Sequence, residues 1–176
     1  MRHADQAMYH AKQVRNQYRY FTPELHTTAV VRQQLTSELR EALSRNQFEV
    51  HYQPIVDLTS GSINKAEALV RWRHPIRGLL TAEAFIPAAE SSGLINDLGD
   101  WIFREAAQWV LERQRRTGGP FRVSVNKSSV QFIVGHTEQS WPDWLDGMGL
   151  AGNAIVIEVN EGLLLSKRPE ILGKLQ

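Results

Sequence analysis

The sequence predicts an α/β protein built on a parallel sheet or barrel. Three observations carry that prediction. The hydrophobic period switches repeatedly between about 2 and about 3.6 along the chain. Beyond residue 72, strand-like runs are separated by helical ones. Two further strand-like runs, at 48–52 and 63–72, lie close enough to form a hairpin.

In chain order, Ala4, Ala7, Met8, Ala11 and Val14 recur at helical spacing, which predicts a helix from 4 to about 18. Phe21-Thr-Pro23 breaks it, because a residue before proline avoids the helical region. A second helix follows, with Leu35, Leu39, Ala42 and Leu43 as its apolar stripe and Asn46 suited to its end. Phe48, Val50 and Tyr52 then alternate with Glu49, His51 and Gln53, and Pro54 marks the expected end of that strand. After a turn around Gly61, Ala66, Ala68, Val70 and Trp72 occupy one strand face, and Lys65, Glu67, Leu69 and Arg71 the other. His74-Pro75 to Leu80 reads as a loop, and Thr81 as the cap of a helix through Phe85 and Ala89, which Pro87 should bend or shorten. Ile95, Leu98, Trp101, Ile102, Ala106, Trp109 and Val110 define a long helix stopped at Thr117-Gly-Gly-Pro120. A strand from Phe121 to Asn126, a helix from Trp141 to Met148, an apolar strand from Ala154 to Val159 expected to be buried on both faces, and a helix from Ser166 complete the order.

Composition narrows the function. The 176 residues include 20 basic and 19 acidic side chains, for a formal charge of +1, which gives no support for a nucleic-acid polymer as partner. There is no cysteine, hence no disulfide framework, thiolate metal site or thiol nucleophile. No apolar run approaches the roughly 18 residues of a membrane span, and Met1-Arg-His-Ala-Asp5 is not a signal peptide. The expected location is the cytoplasm. His3, His10, His26, His51, His74 and His136 show no metal-ligand spacing and read as surface or loop residues.

Glu67, Asn126 and Glu158 stand out because each lies in or ends a predicted strand. In a parallel barrel such side chains gather at the carboxyl face, where sites are built. Two carboxylates and an amide carbonyl form a hard-oxygen set suited to Mg²⁺ or Mn²⁺. Arg71 could grip a phosphate, and Gln53 could hydrogen-bond a base or phosphate. Blander roles stay open. Glu67 could pair with Lys65, Asn126 could end a turn, and Glu158 could form a structural salt bridge.

At these residues the sequence resembles a known family. Tyr52-Gln-Pro-Ile-Val, Glu67-Ala-Leu-Val-Arg-Trp, His74-Pro, Phe85-Ile-Pro-Ala-Ala-Glu90, Gly93-Leu-Ile, Leu98-Gly-Asp-Trp, Val125-Asn-Lys-Ser and Ile157-Glu-Val-Asn-Glu look like the ordered motifs of EAL domains, over roughly residues 32–176. Residues 1–21, with Ala4-Asp-Gln-Ala-Met-Tyr-His-Ala-Lys12, resemble the last helix of a GGDEF (diguanylate cyclase-type) domain, without its catalytic loop. The resemblance implies a GGDEF tail at 1–21, a linker and first helix at 22–46, and the N-terminal half of an EAL domain at 47–176. It implies a TIM-like (β/α) barrel with one antiparallel strand, and hydrolysis of cyclic-di-GMP to pGpG with two Mg²⁺ or Mn²⁺ ions. Glu67, Asn126 and Glu158 fall on the family's metal positions, and Gln53, Leu69 and Arg71 on its ligand positions. Asn160 replaces the family's usual Thr. Further metal ligands and a lysine belong to motifs beyond Gln176. The expectation is therefore a half-barrel, catalytically incomplete alone, that associates with another copy through its open sheet. A cyclic-di-GMP receptor or a protein-interaction module is the alternative.

Overall fold

The structure is a computed structural model; it describes the backbone of residues 23–134 and 140–159, and the side chains of 33–132 and 140–159. The expected helices at 4–18 and from Ser166, the first-domain tail and Asn160 lie outside the described residues. The elements are α1 (Pro23–Ser44), β1 (Phe48–Val56), β2 (Ile63–His74), β3 (Gly78–Thr81), α2 (Ala82–Ser92), α3 (Ile95–Thr117), β4 (Arg122–Lys127), α4 (Ser129–Val134), α5 (Trp141–Met148) and β5 (Ile155–Val159).

One sheet runs β1-β2-β4-β5, with β3 paired beside β2. The β1–β2 hairpin is antiparallel, from Phe48↔Trp72 down to Val56↔Ile63, while β2–β4 and β4–β5 are parallel. β2 is long enough to serve two neighbours along one edge. Lys65–Ala68 pair with β4, and Arg71–His74 pair with β3. The expected loop at 74–80 thus contains a short strand that local sequence signals do not reveal. β1 also continues through Pro54 to Val56. Proline is tolerated there because β1 is an edge strand among the described residues.

The alternation on β2 is as expected: Ala66, Ala68, Val70 and Trp72 are buried. They pack under α2 and α3, whose core faces carry Phe85, Ala88, Ala89, Leu98, Ile102, Phe103, Ala106 and Val110. Trp72 is fully enclosed. Its ring lies 5.6 Å from Phe48 and 5.7 Å from Phe85, and its Nε1 donates to Gln47 Oε1 at 3.1 Å. Trp101 and Trp109 are only partly buried. Trp109 stacks on Tyr52 at 3.9 Å, and the Tyr52 hydroxyl, its pKa raised first by burial, donates to the Glu105 carbonyl.

Helix ends follow their local chemistry. Asn46 takes a left-handed conformation (φ 52°) just past α1, and Gly118 does the same (φ 66°) to close α3 onto the Gln114 carbonyl. α2 continues past Pro87 to Ser92 instead of stopping there. Thr81 stands at the α2 N-cap but accepts no capping bond. β5 departs from expectation as well. Only Ile155 is buried and Ile157 is 37% exposed, because β5 has a partner on one side only among the described residues.

His74, expected at the surface, is buried. Its Nδ1 accepts from the Ile76 and Arg77 N–H groups, so the ring proton sits on Nε2, which faces Glu38 of α1 at 3.1 Å. The hairpin turn is held by Asp57, whose Oδ1 accepts from Ser60 N (2.8 Å), Ser60 Oγ (3.0 Å) and Thr59 N (2.9 Å). These bonds, the Ser60 backbone N–H first, hold the Asp57 carboxyl below its ordinary range. A depressed folded-state pKa means the stabilisation is complete above the unfolded Asp value, about 4, and is lost as pH falls. Acidification should therefore loosen this turn. NMR titration should show the Thr59 and Ser60 amides shifting together with a midpoint below that of free Asp, and Asp57→Asn should flatten the transition.

No helix among the described residues is long and apolar enough to cross a membrane.

Candidate active site

Strand register sorts the site face. Lys65, Glu67, Leu69 and Arg71 share the β2 face turned away from the helices. Glu67 lies directly opposite Gln53 of β1 and Ser124 of β4, and Asn126 opposite Glu158 of β5. In-register neighbours share a face, so the five polar residues Gln53, Glu67, Ser124, Asn126 and Glu158 stand on one side of the sheet. Glu158 comes within one residue of the β5 end and Asn126 within one of the β4 end, at the carboxyl edge where such folds build sites.

Asn126 Nδ2 donates to Glu67 Oε1 at 2.8 Å. A carboxylate only accepts, so the amide must turn its NH₂ to Glu67, which leaves Asn126 Oδ1 directed elsewhere and without a donor among the described residues. A cavity of about 730 Å³ is lined by Glu67, Leu69, Asn126 and Glu158, together with Glu83 and Glu90 of α2. Gln53 and Arg71 share the sheet face but do not line this cavity. Arg71 Nη1 donates to the Val70 carbonyl at 2.9 Å and makes no ion pair among the described residues. Its charge does reach Glu83, whose carboxyl is held low by the Thr81 hydroxyl first, then by its own N–H, and least by Arg71.

The donor set fits a hard divalent cation. Carboxylate and amide oxygens are what Mg²⁺ and Mn²⁺ take, and the free Asn126 oxygen beside two glutamates offers three such atoms. Among the described residues no group of three or more His, Cys, Asp or Glu side chains is close enough to hold a metal; the Glu67–Asn126–Glu158 set has two carboxylates only.

Three features are not visible in the sequence. Lys65 pairs with Glu158, Nζ to Oε1 at 3.7 Å, instead of with its strand neighbour Glu67. Glu158 is consequently not the buried carboxylate its apolar surroundings suggested, since its side chain is 40% exposed. Ser124 is fully buried, and its hydroxyl has no partner among the described residues. The loop after Asn126 is anchored from below. Ser128 Oγ donates to Glu90 Oε1 at 2.6 Å, and Ser128 N donates to Gln131 Oε1 at 3.1 Å. Gln131 is buried against Gly99 of α3, where an added Cβ would stand 1.9 Å from its Nε2. The Gly in Leu98-Gly-Asp-Trp therefore makes room for the side chain that fixes this loop. Its motif is visible in the sequence; its contact, 32 positions away, is not.

A second cavity, of about 590 Å³, lies on the helix-covered side between Phe103, Trp141, Leu145 and Ile155, and holds none of the predicted site residues.

Comparison with known proteins bears on the same residues. The family model described as “EAL domain” matches residues 36–175. The chain belongs to the EAL domain family. It is 39% identical over 164 residues to the bifunctional diguanylate cyclase/cyclic di-GMP phosphodiesterase MucR of Pseudomonas aeruginosa, covering 92% of this chain and 24% of that protein. It is 43% identical over 181 aligned positions to the cyclic di-GMP phosphodiesterase PdeR of Escherichia coli, covering all of this chain and 26% of that protein. The solved “PaMucR Phosphodiesterase, c-di-GMP complex” superposes with a TM-score of 0.71 at 34% identity, over 76% of this chain and 54% of that one. The EAL enzyme Bd1971, in its cAMP- and cyclic-di-GMP-bound form, gives 0.72 at 28% identity, over 84% and 41%. This EAL chain thus spans about a quarter of these curated relatives and about half of the solved EAL chains. Its fold is the corresponding part of the TIM-like EAL barrel, with β1 as the antiparallel strand.

Proposed function

We propose that this EAL chain supplies part of the active site of a cyclic-di-GMP phosphodiesterase that hydrolyses one phosphodiester to give pGpG. The observation that carries the reading is the Asn126–Glu67 hydrogen bond, which leaves the amide oxygen of Asn126 free between Glu67 of β2 and Glu158 near the β5 end. Glu67, Asn126 and Glu158 would hold Mg²⁺ or Mn²⁺. When bound, a pair of such ions supplies charge stabilisation for the attacking and leaving oxygens of an in-line displacement. Glu67 contributes the carboxylate, and Asn126, oriented by Glu67, contributes its neutral oxygen. Glu158 closes the set from β5. Leu69 lines the same cavity and would give the nucleotide an apolar contact. Gln53 and Arg71, on the same face, would meet a base or phosphate that extends beyond the cavity.

The likeness of residues 1–21 to a GGDEF tail supports a tandem GGDEF–EAL parent acting in the cytoplasm. Among the described residues no strand pairs beyond β1 or β5, which supports association of these edges with further EAL structure, in the same protein or in a second copy.

Turnover decides the reading. The full-length protein with Mn²⁺ should convert cyclic-di-GMP to pGpG, as read by chromatography, while residues 1–176 alone should not. Tight binding of cyclic-di-GMP by the full-length protein without turnover would favour a receptor instead. The Lys65–Glu158 pair gives that second reading its support, because Glu158 already has a cationic partner.

A further inference from the structure

Lys65 stands two residues before Glu67 on the same face of β2. Glu158 stands on β5, with β4 between them. Their ion pair therefore reaches across two strand spacings, roughly 9.6 Å of sheet, past the buried Ser124 hydroxyl. Glu158 has no other ion-pair partner among the described residues. The cavity wall carries Glu67, Glu83, Glu90 and Glu158; its own cation, Lys127, lies over the Trp141 ring at 4.0 Å, and Lys65, outside the lining, reaches the wall at Glu158.

We propose that Lys65 is the resident counter-ion of Glu158: it holds this carboxylate when no divalent ion is bound and competes with that ion for it. The inference rests on the metal-site reading above and adds a residue that sets the site's affinity without being a ligand. The pair is suited to exchange. Its side chains are 28% and 40% exposed, so water screens the attraction, and holding a long lysine in one rotamer costs entropy. A divalent ion brings twice the charge and shorter contacts to oxygen. As it binds, Glu158 must leave Lys65, and the ammonium must turn to solvent or to another cavity glutamate. Lys65 is a positioning residue, since it acts through Glu158 and touches no reacting atom.

Mn²⁺ titration of the full chain, followed by the electron paramagnetic resonance signal of the free ion, tests the proposal without reference to turnover. Lys65→Gln should bind Mn²⁺ about two- to fivefold more tightly than the wild type, the size expected for removing a part-exposed ion pair worth less than one decade of affinity. Lys65→Arg, which keeps the charge, should stay at wild-type affinity. A merely structural role would shift the melting temperatures of these variants without this split. Equal or weaker binding by Lys65→Gln, with the wild type binding normally and Glu158→Gln weakened, overturns the competition and leaves the metal site standing. Absence of Mn²⁺ binding by the wild type, or indifference to Glu158→Gln, overturns the site and the competition together.

Discussion

Glu67→Gln in the full-length protein should lower cyclic-di-GMP turnover by at least about a hundredfold, more than the loss of an outer partner of a metal ligand usually costs. The substitution is chosen for what it keeps. The glutamine carbonyl can still accept the Asn126 amide hydrogen now bound at 2.8 Å, so the end of β4 stays joined to β2. The charge goes, and with it the strongest donor for a hard cation. Glu67 is half-buried on a polar face, so its neutralisation should leave the thermal melt within a degree or two, as expected of a substitution away from the core. Turnover measured beside circular dichroism separates the two effects. Full activity in Glu67→Gln would remove Glu67 from the site.

Trp72→Ala should cost about 3–5 kcal/mol of folding stability. Trp72 has no exposed surface and ties the sheet to the helix layer: it meets Phe48 of β1, Phe85 of α2 and, at 4.8 Å, the ring of His74 on its own strand. Its removal opens a cavity too large for these neighbours to fill and strands the Gln47 side chain that accepts its N–H. Trp72→Phe keeps an aromatic ring in place but loses that hydrogen bond and part of the ring volume, so it should cost less than the alanine variant, about 1–3 kcal/mol. Urea unfolding of the two variants would rank them. Equal stability in both would mean that the ring does not hold the layers.

Residues 65–72 show how far the sequence can be read. Strict alternation of residue types there is enough to tell the buried side chains from the rest, and so to put Glu67, Leu69 and Arg71 on one face. Alternation says nothing of which strand lies next door. The Lys65–Glu158 pair depends on the order β2-β4-β5, a tertiary fact, and local spacing points Lys65 to the wrong carboxylate. β3 is illegible because Gly78-Leu-Leu-Thr81 is too short to show a period, and its pairing is set by the length of β2. His74 looks like a loop residue because its burial comes from α1, 36 positions earlier at Glu38. Asn126 and Glu158 are legible as strand-end residues. That they face Glu67 from neighbouring strands is not.

The reversed direction of β1 has a mechanical corollary. In a barrel whose first strand is parallel to the rest, the preceding chain would arrive at the floor. Here Phe48 starts level with Trp72, near the top of β2, so α1 is delivered to the rim on which Asn126 and Glu158 stand. Glu38 on that helix grips His74 and, at 3.5 Å, Arg77, the turn that continues directly from the strand bearing Glu67. A pull or twist applied along α1 is thus a load on the turn that ends β2, the strand whose residues 67–70 line the cavity.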